Sequence, residues 1–593
     1  NRSFSVYDFM LDRSGMDFDF IDSTYTKNVS LSILNNWSWY LGKGNKLEFR
    51  NLLSNQGESS TLFRSGTEFY SNTRIRSFEY GYRSRLTYSG QLSGTHSLES
   101  IGSQIDWVIG YSYGKRNEPD LRRIKLVLND NETDSNYGKY FLEFPNSPLS
   151  SNAGRVYMKT NENVWSAAVN FEKKIEIGAF KPKLKTGIFL EEKSREFSAR
   201  KLGYIFSDAR LKDPTIQYVD VYDLLSGKYL NNSYGIKLAE ETNKSDSYRA
   251  ENTQAAGYLA ITLPITTRLS LFTGVRVEKN RQLLNSYDRF QQPVEVDIDS
   301  LNLFPSANLT YNLNDKSLFR IAYGKSVNRP EFREIAPFPF YDFRSNAVFS
   351  GNPDLTNSYI HNFDIRFEFY PDNNEVISAG VFYKRFINPI EIKYIETGSG
   401  LEYSYQNAAA ATNYGIELDV RKTLFQEGLL SPLALVFNGA LIKSRVEFEQ
   451  GSIEQDRPLA GQSPYVLNAG LFYSGNDKNG LSISVMYNII GQRISIVGQP
   501  KTKPWEYIPN VYEMPRNLLD LTVSKRIGKH LELKLGIKDL FNQPVRFEQS
   551  VSTDVDLSVY QAGAANSVHF DRQQIVRDFK PGSFYSIGMQ LIL

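Results

Sequence analysis

The chain has 593 residues, with 68 Lys plus Arg against 66 Asp plus Glu, so its net charge of +2 sets up no strong field and argues against a nucleic-acid partner. It carries 80 aromatic residues (38 Phe, 37 Tyr, 5 Trp) and no Cys, at a hydrophobic fraction of 41% and a mean hydropathy of −0.41. No apolar run reaches the ~18–20 residues of a membrane-spanning helix, and without Cys there are no disulfides, thiolate metal sites or Cys nucleophiles.

Asn1 to Tyr7 lack an initiator Met, a basic n-region and an apolar h-region, which predicts a chain processed, truncated or incompletely represented at its start. From there on, apolar and polar residues alternate with the period of two that marks a strand. About 20 such segments start near residues 3, 28, 45, 74, 103, 163, 183, 252, 268, 301, 316, 358, 375, 412, 432, 463, 480, 516, 530 and 583. Phe78, Tyr80 and Tyr82 alternate with Glu79, Gly81 and Arg83. Phe363, Ile365, Phe367 and Phe369 form one face, and Asn362, Asp364, Arg366 and Glu368 the other. Ile377, Ala379, Val381 and Tyr383 continue the pattern. Tyr414, Ile416, Leu418 and Val420 alternate with Gly415, Glu417, Asp419 and Arg421, as Leu531, Leu533, Leu535 and Ile537 do with Glu532, Lys534, Gly536 and Lys538.

The connections alternate in length. Short polar turns include Gly42-Lys43-Gly44-Asn45, Asn312-Leu313-Asn314-Asp315, Pro371-Asp372-Asn373-Asn374, Gly475-Asn476-Asp477-Lys478 and Ile527-Gly528-Lys529. Between them fall long connections, roughly 11 to 27, 52 to 73, 113 to 162, 198 to 249, 284 to 300, 328 to 357, 393 to 411, 447 to 462, 492 to 514 and 543 to 582. A soluble β-sandwich has no reason to keep every second connection short over some twenty strands. An outer-membrane barrel does: short periplasmic turns, long extracellular loops, an apolar outer band, aromatic girdles and a polar lumen. Backbone polar groups cannot stay unpaired in hydrocarbon, so the sheet is expected to close. If the last strand, from Phe584 to Leu593, ends at the periplasm, every long connection lies outside. Any strands upstream of residue 3 are then even in number. The fold class is all-β, a transmembrane antiparallel β-barrel.

The segment Tyr323-Gly324-Lys325-Ser326-Val327-Asn328-Arg329-Pro330-Glu331-Phe332-Arg333-Glu334-Ile335-Ala336-Pro337-Phe338, then Gly351-Asn352-Pro353-Asp354-Leu355 and Asn362-Phe363-Asp364-Ile365-Arg366, resembles the barrel of TonB-dependent receptors, most of all those of Bacteroidetes. The resemblance covers residues 1–593 as one barrel domain and is specific between about 320 and 370. It implies 22 strands, of which about 20 are visible, with two strands, a lumen-filling plug and a TonB box upstream of Asn1. A barrel that wide needs a plug. The implied function is active import of a ligand such as a siderophore, glycan, peptide or vitamin across the bacterial outer membrane. The implied partners are TonB, through the plug region, and the lipid bilayer, and a surface lipoprotein lid is compatible with either reading. An accessory barrel in a surface assembly and a passive porin are the alternatives.

The connection from Asn328 to Thr356 mixes Phe332, Phe338, Phe340, Tyr341, Phe343 and Phe349 with Arg329, Arg333, Asp342 and Arg344, which suits a ligand held by stacking and hydrogen bonds. Arg329, Arg333, Phe338, Tyr341, Asp342 and Arg344 are the candidate ligand contacts. The bland alternative is that the aromatics pack the loop against its neighbours. The connection from Ser198 to Arg249, with Tyr218, Tyr222 and Tyr229, is a second candidate lid. The charged inner faces read first as lumen architecture, since an aqueous lumen needs polar walls. Haem receptors resembling this family place a His before the Asn-Pro-x-Leu element, and none lies between Asn328 and Asn352. His569 with Asp571 is too little for a metal site. No Gly-x-Ser-x-Gly, His-Glu-x-x-His or P-loop motif occurs, so neither a catalytic residue nor a cofactor is expected.

Overall fold

The structure, a computed structural model, describes residues 2–8, 13–42, 44–69, 71–178, 180–208, 214–225, 227–230, 235–396, 401–452, 454–475, 480–498, 509–528, 530–556 and 567–591. Lys43, Asn476, Asp477, Lys478 and Lys529, all predicted turn positions, lie outside the described residues.

One antiparallel sheet of 26 strands dominates, and twenty of these follow each other around it in chain order. The first five are β1 (Arg2–Asp8), β2 (Arg13–Gly42), β3 (Asn45–Glu68), β4 (Thr73–Leu98) and β5 (Ser103–Leu128). Next come β6 (Ala153–Lys174), β7 (Lys183–Phe206), β8 (Ser247–Pro264), β9 (Leu269–Tyr287) and β10 (Pro293–Asn314). They are followed by β11 (Ser317–Asn328), β12 (Ser358–Phe369), β13 (Val376–Ile387), β14 (Ala410–Thr423) and β15 (Leu433–Glu447). The last are β16 (Tyr465–Ser474), β17 (Leu481–Ile490), β18 (Leu518–Ile527), β19 (Leu531–Lys538) and β20 (Phe584–Leu591). Every predicted segment has its strand, in order.

The predicted faces hold through register. Ile365 sits opposite Val381, Val381 opposite Ile416 and Ile416 opposite Leu441, all pointing outward and exposed. Pairing is side to side, so one row of apolar residues continues from strand to strand around the outside. Aromatic contacts mark its outer border, Tyr111 on Trp165 at 4.4 Å and Tyr323 on Phe363 at 4.9 Å between ring centres. Among the described residues the sheet closes only at its outer rim, where Arg2 faces Arg577. Below that, residues 21–42 of β2 pair with β3 alone and β20 pairs with β19 alone.

The structure corrects one expectation, the length of the connections. β2 has 30 residues and β4 and β5 have 26 each, whereas crossing the apolar band takes about 9–11. At about 3.3 Å per residue the excess lifts the wall far beyond the membrane. Much of what reads as loop at 11 to 27, 52 to 73 and 113 to 162 is therefore strand. The late strands β16 to β19 have only 8 to 10 residues, and shorter pieces at 493–496 and 511–513 with the pair 545–556 and 567–579 continue the same sheet beyond them.

The connections after β11 and β13 fold inward rather than outward. Phe340–Asp342, Ala347–Phe349, Leu401–Asn407 and Ile390–Glu396 make a separate four-stranded sheet, with a parallel pairing at its centre. Phe332, Ile335, Ala336 and Leu355 bury themselves against Tyr248, Ala250, Leu284 and Val296, which point into the lumen from β8, β9 and β10.

The face assignment is open to direct test. Ile416→Arg in the barrel embedded in phospholipid bilayers is expected to cost about 2–4 kcal/mol, and Glu417→Gln on the opposite face less than about 1 kcal/mol. Denaturant titration of the two variants reads both numbers, and equal costs would reverse the assignment.

Candidate functional site

Alternation decides which wall residues can meet a ligand. On β5, Ile105, Trp107, Ile109 and Tyr111 face outward, so Arg116 and Glu118 face the lumen above the apolar band. The same parity turns Arg85 and Thr87 of β4, Met158, Thr160 and Glu162 of β6, and Arg195 and Phe197 of β7 inward. These side chains and the inward-folded connection after β11 enclose a cavity of about 460 Å³. From the connection, Arg333, Phe338 and Phe340 close it.

Arg333 is held by its own loop. Its guanidinium donates to the carbonyls of Phe338 (2.8 Å) and Phe349 (3.2 Å) and lies over the Phe338 and Phe340 rings at 5.1 and 5.6 Å. Burial, reinforced by the like charge of Arg116, pushes it below the ordinary guanidinium value. Phe338 is buried between Val156, Met158, Ala199 and Phe197, which fixes the loop to the β6–β7 wall.

The other four candidates do not line this cavity. Arg329 pairs with Glu278 of β9. Tyr341 lies under the Arg123 guanidinium at 5.1 Å and donates its hydroxyl to Asn346 (2.7 Å), and burial raises its phenol above the usual value. Asp342 caps the turn through the backbone N–H groups of Arg344 and Ser345, both at 3.1 Å. Arg344 is exposed, and its carbonyl receives Arg64 Nη2 at 3.4 Å. Arg64 itself is 2% exposed, bound in a fork to Asp22 (2.7 and 2.8 Å) and held between the Phe20 and Phe343 rings at 4.7 and 4.6 Å. Hence the hairpin at 340–349 leaves β11, reaches across the lumen and is fastened to β3 and β5. A further buried pair, Arg457 to Glu391 at 2.7 Å, fastens the hairpin that follows β13.

The loop from Ser198 to Arg249 makes its own core at the rim. Ile216, Leu224 and Ile236 pack on Ile124, Leu142 and Phe144, while Asn129 donates to the Tyr218 hydroxyl at 2.7 Å. Tyr229 packs beside this core and Tyr222 is exposed. Positions 209–213, 226 and 231–234 of this loop lie outside the described residues, as do the side chains of His569 and Asp571.

Lower in the lumen, part of the polar face is tied together laterally. Arg366 donates to Ser378 (2.8 Å) and Asp419 (2.9 Å), Asn438 donates to Asp419, Asn468 to Asn438 (3.3 Å) and Asn488 to Asn468 (2.6 Å). One hydrogen-bonded row thus runs from β12 to β17. Glu368 lies 3.4 Å from both Arg320 and Arg366. Asp364, Glu417, Arg421, Glu532, Lys534 and Lys538 make no ion pair among the described residues. The wall residues Arg85, Arg116, Arg195 and Phe197 were not singled out in the sequence; parity and a position above the apolar band are the signals that mark them.

The model of the outer membrane protein beta-barrel family matches residues 223–570. The chain belongs to that family. The barrel is therefore an outer-membrane protein, with its short turns at the periplasm and its tall wall outside. Among solved structures it is similar to the ferric-catecholate import receptor Fiu of Escherichia coli K12, at 12% identity and a TM-score of 0.56, over 100% of this chain and 82% of that one. It is also similar to the ferric yersiniabactin uptake receptor FyuA of Yersinia pestis, at 10% identity and 0.54, over 97% and 80%. The siderophore receptor PiuA of Acinetobacter baumannii matches at 12% identity and 0.55, over 97% and 82%. At such identities the likeness establishes the fold. No curated protein matches the chain.

The crossing hairpin should depend on its anchor. Arg64→Ala takes the two-bond fork from Asp22 and one ring contact from Phe343, and the expected cost is roughly 2–3 kcal/mol. Limited proteolysis of the folded barrel should then cut between Phe343 and Asn346 at a protease concentration that spares the parent protein. Equal resistance would mean that the hairpin is held without Arg64.

Proposed function

We propose that the chain is the barrel of a TonB-dependent importer that captures a specific ligand outside and passes it inward through the lumen. The observation that carries this reading is the roofed mouth. Two inward-folded connections occupy the lumen, and the one after β11 closes a cavity lined by guanidinium groups and rings, where a passive porin would keep its mouth open to diffusion. The three solved relatives are by name an import receptor, an uptake receptor and a siderophore receptor, which supports import rather than catalysis for the same architecture.

In this reading a plug and two more strands precede Asn1, and TonB acts through that region. The unpaired edges of β2 and β20 support it. An amide left unsatisfied in hydrocarbon costs several kcal/mol, and upstream chain inserted as strand below β1 would pair both edges. The inner-face groups without ion partners, such as Glu417 and Lys534, are then available to a plug. Arg329, Tyr341, Asp342 and Arg344 act in this scheme by holding the roof in place, while Arg333 and Phe338 face the ligand. A surface lipoprotein above the outer rim would complete the lid.

The experiment is the intact mass of the protein isolated from outer membranes, together with capture on the immobilised periplasmic domain of TonB. The expected native chain exceeds 67.8 kDa by a domain, roughly 100 residues or more, and is retained. A native chain that starts at Asn1 and is not retained would overturn import and leave a scaffold barrel in a surface assembly.

A further inference from the structure

The charges around the cavity do not balance. Glu118 is shared between Arg83, at 2.8 Å, and Arg116, and Glu162 is taken by Arg195. That leaves two guanidinium groups. Arg85 is exposed to the lumen and has no acidic partner among the described residues, and Arg333 has only carbonyl partners. Two unmatched cations on one recess, Arg85 open to the lumen and Arg333 partly buried, create a local positive potential that the near-neutral composition of the chain conceals.

The remaining lining is flat and apolar. Phe197 contacts Phe338 at 4.9 Å and Tyr248 at 5.3 Å, so three rings form one continuous side of the recess. Because Arg333 is itself laid over Phe338 and Phe340, its planar fork has a fixed orientation, and a planar fork is the geometry that takes a carboxylate through two parallel hydrogen bonds. The volume is that of a small-ligand site. A long neutral glycan would leave both guanidinium groups without a counter-charge, and in covering Arg85 it would take water from an unpaired cation at a cost.

We propose that this recess captures an aromatic carboxylate, or the aromatic carboxylate end of a larger ligand, with Arg85 and Arg333 binding the oxyanion and Phe197 and Phe340 receiving the ring. The proposal rests on the import reading for its purpose but not for its test. The probe is benzene-1,3,5-tricarboxylate, titrated calorimetrically into the full chain purified from outer membranes, with the uncharged benzene-1,3,5-tricarboxamide as the matched comparison.

Saturable binding of the tricarboxylate and none of the amide is the expected result. Arg85→Gln should weaken it by about tenfold or more, the loss expected for one charge-assisted hydrogen bond, and Arg85→Lys should restore part of the loss. Arg85 stands on the wall without a structural partner, so its variants keep the fold. Arg333→Gln, which also releases two loop carbonyls, serves as the second variant, with Arg85 deciding the outcome. Equal binding of acid and amide, no binding of either, or an affinity unchanged by Arg85→Gln would overturn the proposal. Each of those results is compatible with retention on TonB, which would keep an importer of another ligand. Tricarboxylate binding by a chain that TonB does not retain would keep the site and remove import.

Discussion

Hydrocarbon offers a peptide group no hydrogen-bond partner, and that single constraint organises the whole molecule. Each amide within the apolar band has to be paired by the neighbouring strand, which makes one continuous antiparallel ladder the only economical arrangement for so many short apolar stripes. A ladder has two faces and a period of two. Once Ile365, Val381, Ile416 and Leu441 are committed to lipid, their neighbours Asp364, Gly380, Glu417 and Ile442 are committed to the lumen, whatever their chemistry. The polar lumen follows from the apolar exterior, and the row from Arg366 to Asn488 follows from the lumen, because polar side chains at one height on adjacent strands stand close enough to bond laterally.

The same reasoning explains how much could be read from the sequence. Each predicted segment has a strand because lipid on one side and water on the other imposes a strong contrast between successive residues. The contrast ends where the lipid ends. β2 begins at Arg13 rather than near 28, β6 at Ala153 rather than near 163, and β10 at Pro293 rather than near 301. All three run inward, so their first residues stand above the membrane with water on both sides. In Asp22-Ser23-Thr24-Tyr25-Thr26-Lys27 no apolar stripe remains to betray a strand, yet each residue is paired with β3.

The site was half legible for a different reason. The aromatic and basic character of the connection from Asn328 to Thr356 was visible, but composition cannot separate a residue that meets a ligand from one that holds the loop. Structure makes the division: Arg333 and Phe338 face the cavity, while Tyr341 and Asp342 shape and seat the hairpin. Arg85 was beyond the reach of sequence, because along many strands one inward arginine looks like any other. It becomes distinct only when a loop folds in from β11, far along the sheet, and encloses it.

The height of the wall gives that inward fold its physical basis. A connection joining two short strands at a low rim would have water around it, and Phe332, Ile335, Phe338 and Leu355 could not be buried there. Beside β5 to β10, whose ends rise past the membrane, the same apolar residues find Met158, Ala199, Tyr248 and Leu284 to cover them. The apolar burial sets the loop in place, and two arginines set its direction, Arg64 and Arg123 each placing a guanidinium against both a ring and a backbone carbonyl of the hairpin. The recess that Arg333 closes, at the level of Arg85 and Arg116, lies inward of Arg64 and Arg123, which fasten the hairpin nearer the outer ends of β3 and β5. One loop thus carries both the residues that line the recess and those that seat the hairpin, with β6 and β7 holding one end of it and β3 and β5 the other.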